Sequence, residues 1–298
     1  MNFETQYNQK KEWVESNLES FLPTLDVKSQ TLYDAMLYSL NAGGKRIRPI
    51  LLLATNEFCG GDTENAMPFA CAIEYIHTYS LIHDDLPAMD DDDYRRGKPS
   101  NHKVYGEAAA ILAGDGLLNS AMEMICHDIY HHMGDFKNIK NKILAAKEIF
   151  TASGCKGMIG GQVADIEAEG KRVSKEHLEY IHMNKTTALI MASVRAGAFL
   201  GGAGEALLKN LTLFSKNIGL AFQITDDILD ICGDEKLLGK SLGSDIKHEK
   251  TTYPSLYGIE ASKEKVKALH EESYKILDRY EGTDFLKALL KRLMDRGF

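Results

Sequence analysis

The polar and hydrophobic positions of this chain fall into long stretches rich in Ala, Leu, Glu, Lys and Met, and the Val-Ile-Thr alternation of strands is scarce. That pattern predicts helices over 3–21, 30–41, 46–59, 64–85, 107–132, 137–152, 154–169, 174–202, 205–232, 262–280 and 284–296. Turn chemistry separates them at Gly43-Gly44, Gly60-Gly61-Asp62, Pro87, Gly134-Asp135, Gly201-Gly202 and the 233–250 segment. No Ser/Gly-rich spacer, charge-run linker or fixed-period repeat divides the chain, so a single domain over 1–298 is expected. The fold class is all-α: a bundle of about ten or more helices whose long members enclose a central cavity.

Composition narrows the partners. A chain of 298 residues that is 44% hydrophobic can bury a substantial core. Its net charge of −8 argues against nucleic acid, which needs a positive surface to displace counterions. Cys59, Cys71, Cys126, Cys155 and Cys232 are odd in number with no C-x-x-C spacing, which reads as reduced thiols in a cytoplasmic protein. The polar N-terminus suggests neither signal nor transit peptide, and runs such as Ile50 to Ala54 are too short to span a bilayer. Stable membrane insertion is not expected, although a greasy substrate is compatible with the sequence.

Between Asp84 and Asp93 stand six carboxylates: Asp84, Asp85, Asp90, Asp91, Asp92 and Asp93, followed at once by Arg95 and Arg96. Like charges so crowded raise one another's pKa, and a multivalent cation would relieve them. Pro87 disfavours helix at Leu86, so the helix ends just after Asp84-Asp85 and the later aspartates lie on a loop. The second cluster, Asp226-Asp227-Ile228-Leu229-Asp230, is flanked by apolar residues that imply a largely buried helix. There Asp226 and Asp230 share a face, with Gln223 nearby. Carboxylate oxygens suit a hard cation such as Mg²⁺, which commonly bridges to substrate phosphates.

Cations recur where anions could sit. Gly43-Gly44-Lys45-Arg46-Ile47-Arg48 leads a glycine pair into basic residues at a helix start. Lys185-Thr186-Thr187, Lys240 and Lys250-Thr251-Thr252 offer further donors, each read singly as surface. Gly239-Lys240-Ser241 fails as a P-loop, because the earlier glycine would fall on Asp234. His77 and His83 are six apart and His131-His132 adjacent, so none of these forms the i, i+4 pair of a helical zinc site.

In order along the chain, the GGKRIRP segment, the first aspartate motif with its two extra residues, Arg95-Arg96-Gly97, Gly161-Gln162 with Asp165, Lys185-Thr186, Phe222-Gln223 and the second DDxxD resemble the trans-isoprenyl (polyprenyl) diphosphate synthases. The bacterial farnesyl-producing members match most. The resemblance implies Mg²⁺, three ions per site, held by Asp84, Asp85 and Asp90 on one side and Asp226, with Asp227 and Asp230, on the other. It implies that Arg95, Lys185, Thr186, Gln223 and Lys240 contact an allylic diphosphate, and that Lys45, Arg48, His77 and Arg96 bind isopentenyl diphosphate. Gln162 and Asp165 would support the metal shell and Lys185. A homodimer is likewise implied.

The activity implied is Mg²⁺-assisted ionisation of dimethylallyl or geranyl diphosphate, attack by the isopentenyl double bond and loss of a proton, giving farnesyl diphosphate. Tyr79 lies five residues before Asp84, about 7.5 Å along the helix. In resembling enzymes an aromatic side chain there, beside Ser80 and with the Pro87-Ala88 insertion, accompanies a fifteen-carbon product. Geranylgeranyl or geranyl diphosphate synthesis, an inactive synthase-like dimer subunit and a terpene cyclase are the alternatives.

Overall fold

Residues 2–24, 26–232 and 250–294 are described by the structure, a computed structural model. The elements are α1 Phe3–Leu18, a short 3-10 turn Val27–Ser29, α2 Gln30–Leu40, α3 Ile47–Phe58 and α4 Thr63–Asp84. Next come β1 Tyr94–Arg95, β2 Lys98–Pro99, α5 Asn101–Tyr105, α6 Glu107–His131, α7 Phe136–Ser153 and α8 Met158–Ala168. α9 Lys175–Ile181, a π-helical segment His182–Thr187 and α10 Ala188–Leu200 run on continuously. α11 Glu205–Cys232, α12 Tyr253–Tyr257, α13 Ile259–Leu277 and α14 Asp284–Met294 complete the series. The expected all-α architecture holds.

Side chains cap some of the helix starts. The Asn2 carboxamide oxygen accepts from the Thr5 amide at 2.8 Å, and the Asp62 carboxylate accepts from the Glu64 amide at 2.9 Å. Thr252 and Ser255 form a reciprocal capping box that starts α12.

α4 is the central element. Most of it from Ala66 to Ile82 is buried around its whole circumference, the mark of a helix enclosed by others. It packs along α6 and touches α1, α2, α3, α7 and α10. A second core joins α3, α10 and α11 to the last two helices through Ile50, Leu51, Val194, Phe214 and Leu289. α11 also lies along α13, where Ile224, Ile228, Val266 and Leu269 are buried together.

Four elements went unforeseen: the Val27–Ser29 turn, the 94–99 hairpin, α5 and α12. The hairpin pairs Tyr94 with Pro99 and Arg95 with Lys98. Its two-residue turn, Arg96-Gly97, has φ of +55° and +75°, the left-handed pair that matches strand twist. The apolar-run expectation also needs correction. α6, at 25 residues, is long and apolar enough to cross a membrane by composition alone, with 44% of that window buried in the fold. His127 and His131 on this helix do stand four apart, their rings 4.2 Å between centroids, a spacing the sequence reading passed over.

Candidate active site

A cavity of about 690 Å³ is bordered by the end of α4, the loop after it, α8, the π-helical segment, α11 and the chain entering α12. Its charged side begins where α4 stops. The Asp90 amide donates to the Asp84 carbonyl at 2.9 Å, and the Met89 amide to the Leu86 carbonyl at 2.8 Å. The Pro87-Ala88 loop thereby folds back, and Asp84 and Asp90 both line the cavity. Burial pushes Asp84 up to about 6; Lys185 opposes the shift and Asp90 reinforces it.

Asp85 is only 2% exposed and is gripped by Arg95, whose Nε donates to Asp85 Oδ1 at 2.8 Å. The same guanidinium donates to Asp92 Oδ2 at 2.8 Å. Burial raises Asp85, and Arg95 limits the rise.

α11 supplies the opposite wall. Asp226, Asp227 and Gln223 line the cavity, while Asp230 is buried one turn further on. Asp227 accepts from Gln223 Nε2 at 2.9 Å and from the Tyr253 amide at 2.8 Å, and lies 3.4 Å from His182 Nε2. Thr186 Oγ1 donates to Gln223 Oε1 at 2.7 Å, so one chain of contacts runs from the π-helical segment through α11 to α12.

Lys185 Nζ donates to Asp165 Oδ2 at 2.7 Å, and Lys250 Nζ approaches the same oxygen at 3.1 Å and Asp90 Oδ1 at 3.6 Å. Burial alone would lower Lys185, yet Asp165 and Asp84 outweigh it and raise its pKa. Burial likewise opposes the fall of Asp165, which Lys185 and Lys250 drive. Gly161 allows this approach: a Cβ there would overlap the backbone nitrogen of Lys185. The π-helical stretch, a geometry frequent at functional sites, carries Lys185 and Thr186 together.

The remaining basic residues form a different cluster. Arg48, His77 and Arg96 line the cavity. Burial lowers Arg48 to about 10 and His77 well below its usual value, with Arg48 and Arg96 adding to the latter shift. Arg48 Nε is buried without a hydrogen-bond partner among the described residues. Arg96 donates from Nη1 to the Gly43 carbonyl, and a Cβ on Gly44, whose φ is +132°, would come 2.8 Å from its Cζ. The glycine pair therefore makes room for Arg96. Arg46 anchors this loop from beneath, donating to Glu74 Oε1 at 2.7 Å and to the Leu40 carbonyl at 2.6 Å. Lys45 is exposed and is not among the lining residues, although its carbonyl accepts from the Tyr7 hydroxyl.

The rest of the cavity is apolar. Ile159, Val163 and Ile166, spaced along one face of α8, line it with Phe222 and Met89. Tyr79, 6% exposed, lines it from α4 and stacks edge-on against His83 at 5.7 Å. Ser80 lines it as well, its hydroxyl donating to the His77 carbonyl at 2.9 Å.

Residues 29–292 match the polyprenyl synthetase family. The chain belongs to this family. It is 46% identical to a farnesyl diphosphate synthase of Bacillus subtilis (strain 168), over 96% of this chain and 94% of that protein. It is 49% identical to a geranylgeranyl diphosphate synthase of Cyanophora paradoxa, over 91% of this chain and 89% of that protein. Among solved structures, an apo FPP/GFPP synthase from Zymomonas mobilis superposes with a TM-score of 0.85 at 32% identity, over 98% of this chain and 99% of that one.

Among polyprenyl synthetase positions read from the sequence, the fold brings Asp84, Asp90, Arg95, Lys185, Thr186, Gln223, Asp226, Asp227, Arg48, His77, Arg96, Tyr79 and Ser80 to one cavity. Lys45 and Asp230 are not among its lining residues, nor is Asp85, which sits behind Arg95. Lys240 lies outside the described residues. Lys250, read as surface, is the cation that sequence reasoning undervalued. Only the tertiary fold shows it joining Asp90, Asp165 and Glu169.

Proposed function

We propose that this polyprenyl synthetase condenses isopentenyl diphosphate with dimethylallyl and then geranyl diphosphate, making farnesyl diphosphate. The observation that carries the reading is a single apolar cavity flanked by two unlike charged seats. One is the carboxylate row of Asp84, Asp90 and Asp226 with Lys185 and Lys250, and the other is the half-buried pair of Arg48 and Arg96 with His77 beside them. Two diphosphate substrates need two such seats.

The donor set of the first seat fits Mg²⁺. It offers carboxylate oxygens, and the half-buried Asp84 carboxylate, raised to about 6, would gain from a cation beside it. Asp84 and Asp90 would hold one or two ions and Asp226 a third, and these would supply positive charge against the departing allylic diphosphate. Asp85 orients Arg95, and Asp227 orients Gln223 and the approach to α12. Both are positioning residues in this reading.

Arg95, Lys185 and Lys250 grip the allylic diphosphate as its bond to C1 breaks and the electron pair leaves with the diphosphate. They act as preorganised charge aimed at the group where negative charge grows. Arg48 and Arg96 hold isopentenyl diphosphate so that its terminal double bond attacks the allylic C1. A proton then leaves C2 of the isopentenyl unit, and the released diphosphate accepts it. The apolar wall of α8 and Phe222 keeps water from the carbocation.

Tyr79 and His83 floor the channel and stop growth at fifteen carbons. Exposed Ile111 and Leu112 on α6 support a homodimer, which light scattering would register at twice the 33.2 kDa chain mass. The functional test is incubation with labelled isopentenyl diphosphate and each allylic primer, with products sized by chromatography. Farnesyl diphosphate that depends on isopentenyl diphosphate is expected. Hydrocarbon released from geranyl diphosphate alone would show a cyclase, and no condensation an inactive subunit.

A further inference from the structure

We propose that Asp91, Asp93 and His102 form a separate cation site, suited to a divalent ion that accepts nitrogen as well as oxygen, such as Mn²⁺ or Zn²⁺. One ligand atom from each of the three lies within 4.8 Å of the others. Donors around an ion with bonds of about 2.1 Å stand about 3.4 Å apart in a tetrahedral shell, so a modest contraction would close this triangle.

The histidine supplies an independent sign of a ligand. His102 is 7% exposed, and neither Nδ1 nor Nε2 has a hydrogen-bond partner among the described residues. A buried imidazole left without partners is costly. In either neutral tautomer one nitrogen keeps a lone pair available to a metal. Imidazole suits transition ions, whereas Mg²⁺ favours an all-oxygen shell.

The hairpin builds the site. The Ser100 amide donates to the Asp93 carbonyl at 2.9 Å and the Ser100 hydroxyl to the Asp92 carbonyl. The chain that leaves the aspartates at Asp93 therefore returns beside them at the start of α5, whose second residue is His102. Asp91, Asp93 and His102 are absent from the lining of the large cavity, and the site is independent of the prenyl-transfer reading. Lys103 Nζ contacts Asp93 Oδ1 at 2.6 Å. That exposed pair is weak. An ion here would tie the 91–93 turn to α5 and so steady Asp90 on one side and Arg95-Arg96 on the other.

The test uses Mn²⁺ alone, without diphosphate, and reads nitrogen coupling to the bound ion by electron spin-echo spectroscopy. One nitrogen-coupled Mn²⁺ per chain is expected in the wild type and in an Asp84→Ala/Asp226→Ala variant. The coupling should vanish in His102→Gln, and Asp91→Asn/Asp93→Asn, which alters exposed side chains only, should weaken Mn²⁺ at this site at least tenfold. Absence of nitrogen coupling in the wild type would overturn the site. So would coupling that survives His102→Gln, that disappears with Asp84 and Asp226, or that Asp91→Asn/Asp93→Asn leaves unchanged.

Discussion

Around Asp84 carboxylates and cations alternate, whereas around Arg48 the cations stand together. Lys185 and Lys250 share Asp165, Lys250 reaches Asp90, and Arg95 covers Asp85. In the other half Arg48, Arg96 and His77 crowd one another, with Arg48 lowered to about 10 and His77 lowered well below its usual value by burial and the nearby arginines. Glu74, the buried acid nearby, is engaged by Arg46. The alternating half is internally compensated, and in the proposed reading metal together with a diphosphate would complete it. The cationic half holds Arg96 close enough to Arg48 to add to the lowering by burial, and in the proposed reading it would gain from a bare anion.

The contrast breaks first at the carboxylates. Asp84→Ala or Asp226→Ala should lower kcat about 10³-fold or more, since charge aimed at the leaving group is lost. Circular dichroism should remain that of the wild type. Activity within tenfold of normal would place the leaving group elsewhere.

Stability gives the next effect. Asp84 has a folded value of about 6 against 3.8, so between those values the unfolded chain ionises first. Native stability then falls as pH rises from about 4 through 6, and the full penalty persists above. Asp84→Asn should therefore stabilise the metal-free protein at pH 8 by up to about 3 kcal/mol and leave it unchanged at pH 3.5, as measured by urea unfolding.

A smaller effect marks the cationic half. Arg96→Gln should raise KM for isopentenyl diphosphate about 10- to 100-fold, the span of one or two charged hydrogen bonds, with KM for geranyl diphosphate within about threefold. Equal rises for both substrates would merge the two seats into one. Tyr79→Ala costs least in rate and should lengthen the main product by one or more five-carbon units; an unchanged distribution would move the floor elsewhere.

Much of this was legible in the sequence. Helix starts at 30, 64, 107 and 205 follow from composition and the turn residues between helices, and their observed positions differ by at most one residue. Both aspartate motifs suggested cation chemistry, the first through charge crowding beside Arg95 and Arg96 and the second through carboxylates on a helix with apolar flanks. The sequence could not separate ligands from supports, because Asp84 and Asp85 are neighbours in type and position. Only burial against Arg95 distinguishes them. Lys250 gave no local signal, since its carboxylate partners come from residues 90, 165 and 169. The hairpin was missed because its strands are two residues each, too short for any alternation to register.

The most direct test is calorimetric titration with and without divalent ions. One ligand is isopentenyl diphosphate, and the other is an unreactive allylic thiodiphosphate. The allylic analogue should weaken at least about a hundredfold when Mg²⁺ is chelated, because its seat is a row of carboxylates, while isopentenyl diphosphate should change by less than about threefold. Equal dependence of the two ligands on Mg²⁺ would contradict the division of the cavity into a metal-completed seat and a cationic one.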